Sequence, residues 1–330
     1  MKVKDYLIRG IRKVYRKVTG KKFFKPACDC DRQSSNDTIH DLLMTGKPCM
    51  ISRFGTTELN CINNYLCVKR GIDNYLSCIK DYITDNTHTP WWNIDHFFTM
   101  QKTAGLFPPS IDTATRFSEI SLKAAANIDI LGCHQYYEKF MPVQQAKKVQ
   151  LEMLYPFFVE RPWTRALKGK RVLVVHPFDS TIKAQYNNRK VLFENQDILP
   201  DFELITLKAE QTIGGESRFN SWFEALDHME KEISKIDFDI CILGCGAYGM
   251  PLASYVKEIG KQAIHLGGGT QLLFGIKGKR WVEQYDNIWH YRPGIDININ
   301  YRPLFNQYWV FPQNSEKPKS ADKVEDGCYW

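Results

Sequence analysis

The stretch DFDICILGCGAYGMPLASYVKEIGKQAIHLGGG, residues 237–269, decides the fold. Its apolar run ICIL is too short for a buried helix and stops at Gly244, the following residues to Gly260 return to helical spacing, and QAIHL makes a second apolar run. Strand, glycine turn, helix and strand in that order form a βαβ unit, which demands a parallel sheet. Gly244, Gly246 and Gly249 give a G-x-G-x-x-G spacing placed after a strand and before a helix, the context in which such glycines admit a phosphate to the backbone. Pro251 falls in the first helical turn, where its missing N–H does no harm.

The same form recurs outward from this unit. CMISRFG (49–55) is an apolar strand that breaks at Gly55 into the helical TTELNCINNYLCVKRG, preceded by a capped short helix over 36–48. ANIDILGCH (126–134) ends on Gly132, RVLVVHPFDSTI (171–182) carries His176 and Asp179 at its tip, and QAIHLGGGTQLLFG (262–275) carries His265 and a run of three glycines. Five strands, each ending in Gly, His or Asp and each followed by helical sequence, predict an α/β fold: a Rossmann-like, mostly parallel sheet flanked by helices. In such sheets ligands sit beyond the carboxyl ends of the strands. Residues 85–117, rich in Pro and aromatics, read as a loop or irregular lid; the best internal boundary lies near 160–170, and 311–330 reads as a loose polar tail after a domain spanning 27–310.

Charge is concentrated at one end. Residues 1–25 hold ten of the 44 Lys/Arg and one of the 37 acids, so the rest is nearly neutral and gives no argument for nucleic acid as a partner. Within residues 1–26, Val3, Leu7, Ile11, Val14 and Val18 recur at helical spacing, while Lys4, Arg9, Arg12, Lys13, Arg16 and Lys17 fill the remaining positions. Such a helix suits docking on an anionic membrane surface. A plain amphipathic helix packed on its own domain, or on another subunit of an oligomer, stays open. No apolar stretch is long enough to span a bilayer, no signal-peptide core precedes the domain, and ten scattered cysteines point to a reducing, cytoplasmic setting, peripheral to the inner face of the cell membrane. Cys28-x-Cys30 has no second pair at zinc spacing.

Other chemistry is thinner. The acid that would hold an NAD ribose is missing at the end of the next strand, where Ile264, His265, Leu266 and Gly267 stand, so the glycines suit a phosphate better than nicotinamide chemistry. Gly267, Gly268 and Gln271 follow the neighbouring strand, and two adjacent glycine loops make a cleft; Lys277, Lys279 and Arg280 come shortly after, a cation cluster of the kind a diphosphate requires, although each taken singly reads first as a solvated charge on a helix or loop face. Ser52-Arg53-Phe54-Gly55-Thr56-Thr57-Glu58 sets a cation and a carboxylate on one turn, although Glu58 also suits a first-turn acid on a helix dipole. His176, Asp179 and His265 can each be a base, a polar contact or a satisfied structural group. No G-x-S-x-G, H-E-x-x-H or Walker pattern occurs, which lowers the hydrolase, zinc-protease and ATPase readings.

The segment SRFGTTELN together with LGCGAYGMPLASYVKEIGKQAIHLGG resembles the GT-D-type glycosyltransferases, a bacterial Rossmann-like group of surface-glycan and glycoprotein synthesis. The order of elements matches over about residues 36–300. The family's first block looks like R-F-G-D-G-E, whose D-x-E carboxylates help bind a divalent metal and the diphosphate of a nucleotide sugar. Arg53, Phe54, Gly55 and Glu58 match it, while Thr56 replaces the first acid and Thr57 the glycine, a T-x-E variant. The resemblance implies transfer of a sugar from a nucleoside diphosphate sugar to a surface-polysaccharide or lipid-linked glycan acceptor. It implies Glu58 at a divalent cation (Mn or Mg) or the donor sugar, Arg53 at the diphosphate, and Gly55, Thr56, Gly244, Gly246, Tyr248, Gly249, His265, Gly267, Gly268 and Gln271 around the nucleotide, with Lys277 and Arg280 on the leaving group and His176 or Asp179 on the acceptor side. Two rivals stay open: a non-catalytic nucleotide-sugar-binding module of a glycan-assembly complex, and a Rossmann oxidoreductase.

Overall fold

A computed structural model describes residues 3–213, 217–282, 300–321 and 327–330. Seven strands form one sheet: β1 (Cys49–Arg53), β2 (Ile130–Cys133), β3 (Lys147–Gln150), β4 (Arg171–His176), β5 (Glu203–Lys208), β6 (Ile240–Leu243) and β7 (Gln262–His265). Their order is β3-β2-β1-β7-β6-β4-β5, and every pairing is parallel. The helices are α1 (Val3–Thr19), α2 (Arg32–Met44), α3 (Thr56–Ile83), α4 (Ile94–Thr99), α5 (Ile111–Ala125), α6 (Asp179–Asn187), α7 (Arg189–Leu192), α8 (Trp222–Ser234), α9 (Gly249–Glu258), α10 (Gly269–Leu273) and α11 (Lys279–Val282). The fold is α/β and Rossmann-like. Among the described residues no helix is long and apolar enough to cross a membrane.

The five glycine- or histidine-ended runs are the five inner strands, and their near-continuous apolar character follows from burial on both faces. One face packs Met50, Leu131, Leu173 and Cys241 against α3, α5, α8 and α9, and the other packs Ile51, Val172, Ile242 and Ile264 against Trp163, Phe178 and Phe274. The two strands that the sequence did not announce, KKVQ and ELITLK, are the two edges. ELITLK has a charge at each exposed end, and KKVQ opens on two lysines, its outer side met at Val149 by a bridge from Asp29; charge at the edges erases the apolar run.

Three expectations need correction. Residues 160–170 do not separate two units, because β1 pairs with β7 and one sheet runs through both halves; Trp163 and Leu167 are fully buried beneath it. The supposed lid over 85–117 contains α4, a π turn at Met100–Ala104 and the start of α5, which Ser110 caps by accepting from the Thr113 N–H at 3.1 Å. The tail over 311–330 is not loose where it is described. Glu316 is buried and accepts from the N–H groups of Ser180 (2.9 Å) and Thr181 (3.2 Å), while the Tyr329 carbonyl accepts from Gln271 at 3.3 Å. Of that tail, 322–326 lie outside the described residues.

The topology sets where a ligand can go. The chain leaves β1 toward one edge through β2 and β3, leaves β4 toward the other edge at β5, and then fills the middle with β6 and β7. The carboxyl ends of β1, β7 and β6 therefore stand side by side. In open α/β sheets this is the place for a ligand.

Candidate functional site

A small cleft opens at those three strand ends, lined among others by Arg53, Gly55, Glu58, Gly246, Pro251 and His265. The first strand turn and the first glycine loop thus share one rim. Arg53 is the last residue of β1, and its Nε is buried without a hydrogen-bond partner among the described residues. Its guanidinium reaches toward the second glycine loop: a Cβ at Gly267, where φ is +60°, would stand 3.5 Å from Arg53 Nη1. A buried guanidinium N–H left without a partner is costly unless an anion completes it.

Gly55 precedes α3 in extended conformation, and the Glu58 carboxylate folds back against its Cα, so any side chain at Gly55 would overlap it. That is the position of an acid in a capping box, three residues into the helix. Glu58 thus serves the positive end of α3 while also facing the cleft. Thr56 begins the helix and is exposed. Glu58 is the single carboxylate in the lining, fewer than a hard cation takes, and among the described residues no group of three or more His, Cys, Asp or Glu is placed to hold a metal. The assignment of Mn or Mg to this turn does not fit the donor set.

The three glycines of the first loop divide their work. A Cβ at Gly244 would lie 2.5 Å from His176 Cδ2 and 2.7 Å from Thr270 Oγ1, and one at Gly249 would overlap the His265 ring. Both exist so that backbone can close on a buried ring. Gly246 has φ +58° and nothing within 4 Å of where a Cβ would stand, and it faces the cleft. This is the division expected of a dinucleotide fingerprint: outer glycines for the turn and for helix–strand packing, the middle one for approach of a pyrophosphate.

The two histidines are held neutral. Burial pushes His176 down to about 3, and its Nδ1 accepts from the Phe178 N–H at 3.0 Å. Burial, reinforced by the charge of Arg53, pushes His265 down to about 3, and its Nδ1 meets Ser52 Oγ at 3.1 Å.

Other sequence-predicted residues stand elsewhere. His176 and Asp179 do not line the cleft; Asp179 is a first-turn acid of α6 with Lys183 3.7 Å away. Tyr248 is a core residue, stacked on Trp222 at 4.7 Å with its hydroxyl 2.9 Å from Thr212 Oγ1. The second glycine loop is covered. Tyr329 and Trp281 would meet a Cβ at Gly268 at 3.1 and 3.2 Å. Gln271 is buried and ties the Lys277 (3.1 Å) and Tyr329 (3.3 Å) carbonyls, and the Lys277 N–H donates to Val310. Arg280 lies over the Tyr329 ring and donates to its hydroxyl at 3.1 Å. These residues latch the C-terminal strap.

Sequence reasoning missed the tip of β2. Gln135 Nε2 donates to the Phe54 carbonyl at 3.4 Å, which brings this turn beside Arg53. Glu138 is fully buried there, accepts from the His134 N–H with both oxygens at 3.2 Å, and is raised to about 7 by burial against the pull of the His134 and Gln135 N–H groups and the Arg53 charge. The signal was present in GCHQYYE, a histidine at a strand tip with an acid four residues on, but an isolated i, i+4 pair is common on helices. The chain matches no family model, no curated protein and no solved structure.

Proposed function

We propose that the chain is a glycosyltransferase that takes a sugar from a nucleoside diphosphate sugar to a hydroxyl of a surface-polysaccharide or lipid-linked glycan. The observation that carries this reading is Arg53, whose buried Nε has no partner among the described residues and which lies between an open glycine turn at Gly246 and the Gly267 turn. A diphosphate satisfies it: charge-assisted hydrogen bonds from a guanidinium stabilise the charge that builds on the leaving oxygen as the bond to the sugar C1 breaks. Glu58 is the carboxylate at hand to take the proton from the acceptor hydroxyl as the new bond to C1 forms. Neutral His265 and the apolar floor of Phe117 and Ile62 keep the cleft in low dielectric, which strengthens both effects.

The test is a screen of nucleoside diphosphates and their sugars, with and without manganese, by thermal shift, calorimetric titration and released nucleoside diphosphate. Binding that falls about 30-fold in Arg53→Ala, together with release that depends on an acceptor, is the expected result. Glu58 folded against Gly55 as a helix cap favours a second reading, a non-catalytic nucleotide-sugar-binding module. That reading predicts the same loss in Arg53→Ala with no transfer or hydrolysis by the parent protein. A Rossmann oxidoreductase predicts NAD(P)H binding, and a flat titration removes it.

A further inference from the structure

The helix α1 packs on α3 with the wrong face for an ordinary amphipathic helix. The face turned to the body carries Asp5, which is buried, Arg9, whose Nε is buried, Arg12 and, at its exposed margin, Arg16, with Ile8 and Tyr15 half-buried beside them; Arg12 and Arg16 both pair with the fully buried carboxylate of Asp85. Arg12 also lies over the Tyr82 ring at 4.2 Å and donates to the Tyr137 hydroxyl at 3.3 Å. Leu7, Ile11, Val14 and Val18 have the same spacing, displaced by two residues. At 100° per residue this is a rotation of about 200°, so they point away from the body. Leu7 is 69% exposed, Val14 63% and Val18 79%. An apolar stripe turned to solvent while arginines face the protein is the reverse of what burial alone would select.

We infer that this stripe is a docking surface for an anionic lipid bilayer. Charge complementarity selects the partner: Lys13, Lys17 and Lys22 are exposed and make no ion pair among the described residues, while Asp5, the acid of the first 25 residues, is turned inward. Lysines beside an apolar stripe match acidic headgroups over acyl chains. A second copy of the chain fits less well. A helix of 17 residues is about 25 Å long, and a stripe roughly 10 Å wide on it offers on the order of 250 Å², against about 800 Å² per partner in a stable interface. Pairing two such stripes would also bring their lysines together. The neighbouring helix α3 also exposes apolar side chains: Ile72 and Leu76, 79% and 81% exposed, flank in sequence Tyr75, over which Lys4 lies.

This inference does not depend on the sugar-nucleotide reading, because it is tested with no nucleotide present. The full chain is floated with phosphatidylcholine vesicles with and without phosphatidylserine, at low and high salt, beside the double variants Leu7→Asp/Val14→Asp and Lys13→Glu/Lys17→Glu. The parent is expected to float only with phosphatidylserine and to be released by salt. The charge variant is expected to lose binding about tenfold and the stripe variant to stop floating, each with an unchanged melting midpoint, since all four side chains are exposed. A parent that does not float, or a stripe variant that floats as well as the parent, overturns the inference. So does a lipid-free parent that sediments as a dimer which the stripe variant dissolves, because the stripe is then an interface between copies.

Discussion

The two glycine loops follow adjacent strands and look alike in sequence, yet they do opposite things. After β6, Gly244 and Gly249 close on the rings of His176 and His265 and leave Gly246 bare to the cleft; after β7, Gly267 faces Arg53 while Gly268 and Gly269 lie against Tyr329, Trp281 and Tyr155. One loop is open and one is latched. A glycine run therefore marks a close approach, and only the neighbours say whether backbone approaches a ligand or a buried ring.

The largest expected effect comes from breaking the packing half of the first loop. Gly249→Ala would drive a methyl group into the His265 ring, which the burial around it cannot relieve by rotation, so we expect a loss of about 3 kcal/mol in denaturant unfolding. An unchanged midpoint would show that α9 can shift off β7, and the distinction between packing and open glycines would fail with it.

Acid should expose the same histidines. Burial holds His88, His96, His176 and His265 below their ordinary value of 6.5, three of them at about 3, so they bind protons when the chain unfolds and stability is lost as pH falls below about 6.5 toward 3. Glu138 and Glu230, raised by burial from 4.5 to about 7, act in the opposite sense between those values, because the folded state binds their protons first. The melting midpoint should therefore fall gently from pH 6.5 to 4.5 and steeply below 4.5. His265→Asn should remove part of the steep limb; a variant with the parent's acid limb would show that His265 is charged in the folded protein.

At the ligand, Arg53→Ala should cost about 2 kcal/mol, or roughly 30-fold, in nucleoside diphosphate affinity by calorimetry, with little change in stability. The opposite pattern, lost stability and unchanged affinity, would make Arg53 a structural cation facing Glu138.

How much of this could be read in advance follows burial. The five inner strands, buried on both faces, were legible because ICIL and RVLVV have no other use; the edges KKVQ and ELITLK were not, because exposure lets them carry charge. Arg53 and Glu58 meet Gly246 because β1, β7 and β6 are neighbours, an order that the pattern of parallel strands leaves open and only the structure supplies. Four contacts escaped for one reason: Tyr248 on Trp222, Glu316 on α6, Tyr329 on Gly268 and Gln135 on Phe54 join residues far apart in the chain, and no local pattern encodes them. The helix α1 was legible as amphipathic but not in its orientation, since the deciding group, buried Asp85, lies in a loop about 70 residues away.

The smallest effect on stability is the sharpest test of the open loop. At Gly246 an alanine meets no atom, so its cost is that of an L-residue at φ +58°, about 1 kcal/mol in unfolding. Yet the methyl group would stand in the cleft, where the proposed function puts the diphosphate. Gly246→Ala should thus weaken nucleoside diphosphate binding by more than about tenfold, while Gly268→Ala, under Tyr329 and Trp281, should leave it unchanged. If both variants bind as the parent does, the diphosphate does not lie at the first loop. If Gly268→Ala alone weakens binding, the latched loop opens for the ligand, and the strap around Tyr329 is what the nucleotide displaces.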